Sequence, residues 1–490
     1  MESAVWVIIL PLLIAFLLGI SKLYFKKFFS PLVIGGSIVY LYLLILVIYN
    51  SYPPKIYSIG NWGVLGINLM VDPLSTLFLL IIAILFISVI IFSQKYIKIN
   101  KHNFFIFTYL MIAGITGMVL TADLFNLYVF LEVSSMSSCA LTALKKTDKG
   151  IEGAFKDLIM STLGSFFILL ATILTYYLTG TLNIAEIALG FEDIPFMIKC
   201  TLISFFVFGY VIKIGLAPLH AWLPDAYEDS PIPYNVLSSG LVMKSSVYAL
   251  IRVLYIIFGL EFMTESGILS VGVFWGVITL IIAHFLAFQQ SNLSRLLAYS
   301  SIAQIGYITI GLFVGSEGGL IGGSFHIINH AIMKGTLFLV IGIFYYSSGA
   351  IEIKDIKGLG YKFPIVGLIF VVASLAIVGL PPFNGFISKW LIIEAAIEAG
   401  FGYAGFFILV GTFLSLTYYL KVIIELYTKN KKIKLIKEPD LSLRLPTIFL
   451  GSLCIVFGIV PSLPLTLINK IPNFLLNNSE YIRILLGGLR

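Results

Sequence analysis

The chain has 490 residues, 59% of them hydrophobic and only 11% charged, and its formal net charge is +7. A soluble protein of this length could not hide so much apolar surface, so a water-soluble enzyme is excluded. The positive balance does not point to a nucleic-acid partner either, because its placement along the chain explains it.

Apolar runs of about 18 or more residues read as membrane helices. They begin near residues 4, 28, 73, 104, 123, 156, 198, 232, 270, 296, 318, 364, 402 and 445. Lipid-exposed backbone must satisfy its own hydrogen bonds, so the expected fold is an all-α polytopic membrane protein of about fourteen helices. The first run follows Met-Glu rather than a basic segment and is expected to be a retained span, not a signal peptide. The longest polar connectors, Asn50–Asp72 and Thr428–Leu445, lack the composition of a catalytic domain. Cys139, Cys200 and Cys454 all lie in apolar runs, with no metal or disulfide spacing, and read as packing residues. No cofactor is expected, nor any catalytic chemistry of the chain's own.

Numbering the helices one to fourteen, connectors after odd helices hold twenty of the 31 Lys and Arg, among them Lys145, Lys149, Lys156, Arg295, Lys431, Lys432, Lys434 and Lys437. Connectors after even helices hold Lys55 and Lys199, and the C-terminal tail holds Lys470, Arg483 and Arg490. The positive-inside rule then puts odd connectors in the cytoplasm and both termini outside. The connector after helix seven is an exception, with Asp225, Glu228 and Asp229 and no base. Proton capture or subunit docking would account for its acidity.

Six bases remain inside helices, where a charge costs about 2.5–3.5 kcal/mol on insertion scales, so each asks for a reason. In helix five, "LFNLYVFLEVSSMSS" carries Glu132 with no cation one turn away; its partner must come from another helix, and Lys213 is the candidate. Asp123 belongs to that helix's start. In helix seven, "VIKIGLAPLHAWLP" sets Lys213, Gly215, Pro218 and His220 in an apolar context, and proline there should break the helix. Helix eight holds Lys244, and Arg252 near enough to its end to snorkel. In helix eleven, His326, His330 and Lys334 recur at i, i+4 and i+8 on one face. Two histidines so spaced can hold zinc, but no third ligand stands nearby; structural hydrogen bonding and proton relay are the other readings. His220 and His284 are left without a role. Helix twelve is broken at "GLPPFNGFISKW", with Pro381 and Pro382 followed by Lys389. In helix thirteen, Lys421 has Glu425 one turn on as an expected partner.

The breaks fall in the fourth helix of two successive five-helix units, and five being odd, the second unit should be inverted. Paired broken helices of this kind point to a mid-membrane transport site. The expected divisions are residues 1–103, a first unit at 104–260, a second at 261–428, and a last helix with its flanks at 429–490. Non-helical backbone is expected near Gly215–Pro218 and Gly379–Gly385.

These motifs, with "VDPLSTLF", "IKIGLAPLHAWLPDAYEDSPIP", "GLVMKSSVYALIR" and "HIINHAIMKGTLFL", together resemble the proton-translocating, antiporter-like subunits of respiratory complex I, the Mrp multi-subunit Na+/H+ antiporters and the membrane-bound hydrogenases. The resemblance covers nearly the whole chain. It implies the fourteen helices, the inverted repeats and the two breaks. It also implies that Glu132 pairs with Lys213, that Lys244 is the central lysine, that His326 or His330 relays, and that Lys389 is the terminal site; the orientation from the basic residues makes Lys389 the expected outward exit. Lysine at that last position looks more like the branch formed by the D-type Mrp antiporter subunits and the hydrogenases. Lys334 and His220 are secondary candidates.

The function expected is therefore a subunit that moves protons, with or without coupling to Na+, in a prokaryotic plasma membrane beside other integral subunits, and in a redox complex beside peripheral iron–sulfur or hydrogenase-like ones. The alternatives are a membrane subunit of a proton-pumping NADH/quinone-type oxidoreductase and a non-pumping scaffold. A quinone or metal centre of the chain's own finds no support, since there is no CxxC pair, nucleotide loop or haem-ligand pattern.

Overall fold

The computed structural model describes residues 3–59, 66–429 and 439–487; Lys431, Lys432, Lys434, Lys437 and Arg490 lie outside the described residues. Thirteen helices among the described residues are long and apolar enough to cross a membrane. In chain order the spans are α1 (Ser3–Leu23), α2 (Phe29–Tyr49), α3 (Pro73–Tyr96), α4 (Lys101–Leu120), α5 (Leu124–Thr142), α6 (Asp148–Thr179), α7 (Phe196–Ile214), α8 (Ile232–Glu265), α9 (Ile268–Phe288), α10 (Leu293–Phe313), α11 (Glu317–Ser348), α12, α13 (Gly402–Tyr427) and α14 (Leu441–Ile459). The exception to the length criterion is α12, which is split into Pro364–Val378 and Asn384–Glu398, neither half long enough alone. The connector Lys55–Val71 carries a small antiparallel hairpin, strands Lys55–Ile59 and Ile67–Val71.

Helix starts follow local chemistry. Asp72 accepts from the Ser75 amide with Pro73 at the first turn, Asp123 caps α5 through the Asn126 amide, and Thr147 caps α6 through that of Gly150. The Thr147 cap explains why α6 begins at Asp148 rather than near 156. Its first two turns are charged and precede the apolar run, which puts Lys156 on the helix and not in a connector.

The most apolar stretch of α11 is wholly buried and those of α8 and α10 nearly so, while those of α1, α2, α6, α13 and α14 are mostly not buried. Helices α4–α8 and α9–α13 follow one plan. The third helix of each set has 32 residues and ends on a left-handed glycine, Gly180 or Gly349. In each, the link after the first helix bridges to the link after the third, Asp123 to Asn183 and Asn292 to Glu352.

The acidic connector after α7 is neutralised within the chain. Arg295 spans Asp225 at 2.6 Å and Glu228 at 2.8 Å. Lys156 meets Asp225 at 2.6 Å, Lys149 meets Glu228 at 2.8 Å, and Lys145 meets Asp229 at 3.4 Å. The acids of this connector therefore share one face with bases from the link after α5 and from the first turns of α6 and α10, and act as clamps between those elements rather than as free capture or docking groups. Burial raises the Asp225 and Glu228 carboxyls, but hydrogen bonds from Lys156, Lys149 and Arg295 outweigh it and hold both below the ordinary carboxylate range.

Arg252 does not snorkel. It is 2% exposed and lies 2.5 Å from Asp72, which is fully buried, with the rings of Tyr248 and Tyr481 about it at 5.0 and 5.3 Å. The pair ties the start of α3 to the wide-turned Arg252–Phe258 end of α8 and to the C-terminal helix Asn478–Gly487. Nor do Lys421 and Glu425 form the expected pair: Lys421 points outward and a Glu425 oxygen stays unpartnered.

Asp72→Asn keeps the α3 cap but strands the arginine, and should destabilise the assembled protein by about 3–5 kcal/mol in thermal unfolding, with Arg252→Met in the same chain restoring part of the loss. For the connector clamp, the two carboxyls are depressed on folding, so their contribution is complete above the ordinary carboxyl range and disappears as pH falls through the lowered values. The thermal midpoint should drop as pH falls below about 4, and Asp225→Asn with Glu228→Gln should flatten that part of the profile.

Candidate functional site

Both helix breaks use the same backbone device. α7 ends at Gly215 (φ 78°), whose amide returns to Val211 and Ile212 while the Leu216 amide also returns to Val211; α12 first ends at Gly379 (φ 93°), with the same bonds to Leu375 and Ala376 and from Leu380 to Leu375. A left-handed glycine closes such an end without a Cβ penalty. Pro218, Pro381 and Pro382 then hold the chain out of helix until Trp222 and Asn384. The freed carbonyls find different partners. At the first break the Trp222 indole donates to Ile212 at 3.2 Å and the Trp275 indole to Ala217 at 2.6 Å. At the second, Lys389 reaches back across the gap and donates to Ile377 at 3.1 Å and Val378 at 2.9 Å, with the Tyr307 ring 4.3 Å from its ammonium. The lysine therefore sits at the negative end of a half-helix. Its head group lies at the break and not out along the second half, where its sequence position alone would put it.

Lys213 lies on the last turn of α7. Gly164 on α6 lets the two helices touch; a Cβ there would stand 2.8 Å from the Gly209 carbonyl. That approach brings the Lys213 ammonium to Ser161 at 2.6 Å on α6, to Ser135 at 2.9 Å on α5 and to Glu132 at 3.5 Å. Glu132 also accepts from Ser165. It is not enclosed: a quarter of its side chain is exposed on the outer flank of α5 and α6.

A second carboxylate, Asp157, faces the same place. It is 4% exposed, leaves one oxygen unpartnered, and lines with Lys213, Ser135 and Ser161 a cavity of about 20 Å³, room for one water. The sequence held the signal. Asp157, Ser161 and Ser165 recur every four residues on α6 as a polar stripe, and the two charged turns that precede it place Asp157 well inside the helix rather than at its start. Beyond the cavity stand paired hydroxyls, Ser138 with Tyr234 at 2.7 Å and Tyr227 with Ser238 at 3.0 Å.

Lys244 follows a widened turn of α8, Ser238–Val242, and donates to the Ser239 carbonyl. It is wholly buried and interacts electrostatically with Lys334, His330 and His326. On α11, His326 bonds Gln304 through Nε2 and Ser388 through Nδ1, both at 2.9 Å. The amide oxygen can only accept, so Nε2 carries the hydrogen in this arrangement. His330 stacks 6.4 Å from His326 and has no partner on either nitrogen. Lys334 donates to the Leu297 carbonyl at 2.8 Å and lies 3.4 Å from the Tyr419 hydroxyl. His220, inside the first break, keeps an unpartnered Nδ1. Among the described residues no three His, Cys, Asp or Glu side chains come together as a metal would require.

The protonatable groups thus gather at three places: Glu132, Asp157 and Lys213 at the first break, Lys244 with the α11 face, and Lys389 at the second break. Each member can hold or release a proton, and hydroxyls or water-sized space lie between several of them.

Comparison with known proteins adds independent findings. The family profile described as "NADH:quinone oxidoreductase/Mrp antiporter, TM" matches residues 121–415. The chain is 35% identical over 77% of its length to the N subunit of the NADH-quinone oxidoreductase of Desulforudis audaxviator, covering 76% of that protein. It is 30% identical over 79% of its length to the D subunit of the Na(+)/H(+) antiporter of Alkalihalophilus pseudofirmus, covering 80% of it. Among solved structures, a chain of the membrane-bound sulfane sulfur reductase, an archaeal respiratory membrane complex, superimposes with a TM-score of 0.94 at 31% identity, over 99% of this chain and all of that one. A chain of the Mrp complex from Dietzia sp. superimposes with a TM-score of 0.90 at 23% identity over 99% of both chains, a likeness of fold.

Proposed function

This chain belongs to the NADH:quinone oxidoreductase/Mrp antiporter transmembrane family, and from that membership we propose that it is a proton-translocating subunit of a multi-subunit membrane complex. The observation that carries the reading is the set of protonatable side chains gathered at the two broken helices and around Lys244. A scaffold would have no reason to bear the cost of burying Lys213, Lys244, Lys334 and Lys389 in hydrocarbon. In this reading Glu132 and Lys213 form the loading pair, Asp157 shares their water-sized cavity, Lys244 is the midpoint, His326 and His330 relay, and Lys389 is the terminal, outward site.

Helix parity supports the inverted arrangement. The bridge between Asp123 and Asn183 closes the first unit and that between Asn292 and Glu352 the second. Five crossings separate them, so they fall on opposite faces. The units are residues 104–260 and 261–428. The clamped face that holds Lys145, Lys149 and Arg295 is the cytoplasmic one, with both termini outside a prokaryotic plasma membrane. Other integral subunits are the partners, and the exposed flank at Glu132 is where a neighbour would cover a carboxylate that hydrocarbon could not tolerate. Coupling to Na+ is favoured by the name of the antiporter relative, and redox subunits beside the chain by those of the sulfur reductase and the quinone oxidoreductase. The subunits that co-purify with the chain decide between them.

Glu132→Gln or Lys213→Ala in the assembled complex should lower proton translocation below roughly a tenth of wild type in sealed vesicles while the subunit still inserts. Lys389→Leu should do the same, and Lys389→Glu should keep part of the activity because it can still hold a proton. Full pumping by Glu132→Gln or Lys389→Leu removes that residue from the path.

A further inference from the structure

The direct line through α11 is open at His330, which bonds nothing through either nitrogen. A second set of buried polar groups lies between Lys334 and Lys389. His284 on α9 is fully buried and bonded on both sides, its Nδ1 3.2 Å from the Tyr418 hydroxyl and its Nε2 3.0 Å from that of Tyr307. Tyr418 packs against Tyr419, ring centroids 4.8 Å apart, and Tyr419 lies 3.4 Å from Lys334 and 2.9 Å from Ser300. At the other end, Lys389 rests on the Tyr307 ring.

Resting on the proton-translocation reading above, we infer that Lys334, Tyr419, Tyr418, His284, Tyr307 and Lys389 form a second proton route around the second unit, with His284 as its hub. The six residues come from all five helices, α9 to α13, and every one is buried. The route also has a supply. A cavity of about 510 Å³ opens on the face of the connector clamp and reaches Leu293 and Ser294, one turn from the Leu297 carbonyl that holds Lys334.

The chemistry balances. One proton leaves the Lys334 ammonium and one arrives on the Lys389 amine. Each hydroxyl, and the neutral imidazole, gives up the proton on its far side as it accepts one on its near side, so no intermediate member changes charge. The transfer leaves the imidazole hydrogen on Nδ1, and proton exchange through water, off Nδ1 and onto Nε2, returns the ring to its first tautomer before the next transfer. The steps from Tyr419 to Tyr418 and from Tyr307 to Lys389 are not direct hydrogen bonds; the Ser300 hydroxyl bonds both Tyr419 and Tyr418 and bridges the first, and the second takes one water. Thr412 also bonds the Tyr307 hydroxyl and holds it in place.

Two parallel routes predict a characteristic non-additivity. In vesicles holding the assembled complex under an imposed potassium diffusion potential, His284→Phe alone and His330→Phe alone should each keep roughly half of the proton flux, and the two together less than about a tenth. Tyr307→Phe and Tyr418→Phe keep the rings but remove the hydroxyls. In the His330→Phe background each should match the effect of His284→Phe, with assembly on native gels unchanged; a packing role for His284 would leave them silent. The branch is overturned if His330→Phe alone abolishes flux, if the double variant is no slower than the slower single one, or if the tyrosine variants have no effect in that background. Glu132→Gln separates the two claims: lost flux there with an intact double variant overturns the branch only, and retained flux overturns the reading beneath it.

Discussion

A charge inside a membrane must bring its own solvation, and the ways this chain provides it organise everything else. Arg252 is answered by Asp72 in a closed ion pair 2.5 Å long. A guanidinium does not deprotonate, so that pair is permanent and ties helix ends together. Lys213 is answered by two hydroxyls and a more distant carboxylate. Lys244 and Lys389 are answered by backbone carbonyls, and Lys334 by a carbonyl and a tyrosine hydroxyl. That last class matters most, because a lysine held by neutral acceptors strands no anion when it gives up its proton. Structural and protonatable bases thus differ by partner type within one bundle.

The acceptors have three sources: a widened turn of α8 for Lys244, a carbonyl near the start of α10 for Lys334, and the helix break for Lys389. A helix that stops at a left-handed glycine exposes its last turn. The two units make the same stop and fill it differently, one with indole donors and the other with Lys389. The two breaks thus carry unlike groups, an acid–base pair that reaches the outer flank and an ammonium enclosed between carbonyls and an aromatic face.

Much of this was legible in the sequence because polarity in an apolar context is easy to see. Glu132 lacked a local cation and Lys213 supplied one; the prolines marked both breaks. What escaped depended on which side chains meet in space. Asp157 is the second residue of a helix started at 156, where an acid reads as part of the helix end, and Asp72 passes as part of a motif because its partner is 180 positions away. The acids after α7 looked free because their bases come from other elements. Lys421 and Glu425 show the opposite error, a spacing that permits a pair which the helix's outward orientation leaves unformed. His284 carried no signal, since one histidine in an apolar run becomes a hub only when two tyrosines from other helices reach it.

Lys244 is where the account can be struck most directly, because it stands alone between the two units. Lys244→Met keeps the side chain's length and leaves both end sites intact. Proton flux measured in vesicles holding the assembled complex should fall to the level of protein-free vesicles, with assembly unchanged on native gels. Flux at the wild-type rate would contradict a proton path that runs from one broken helix to the other.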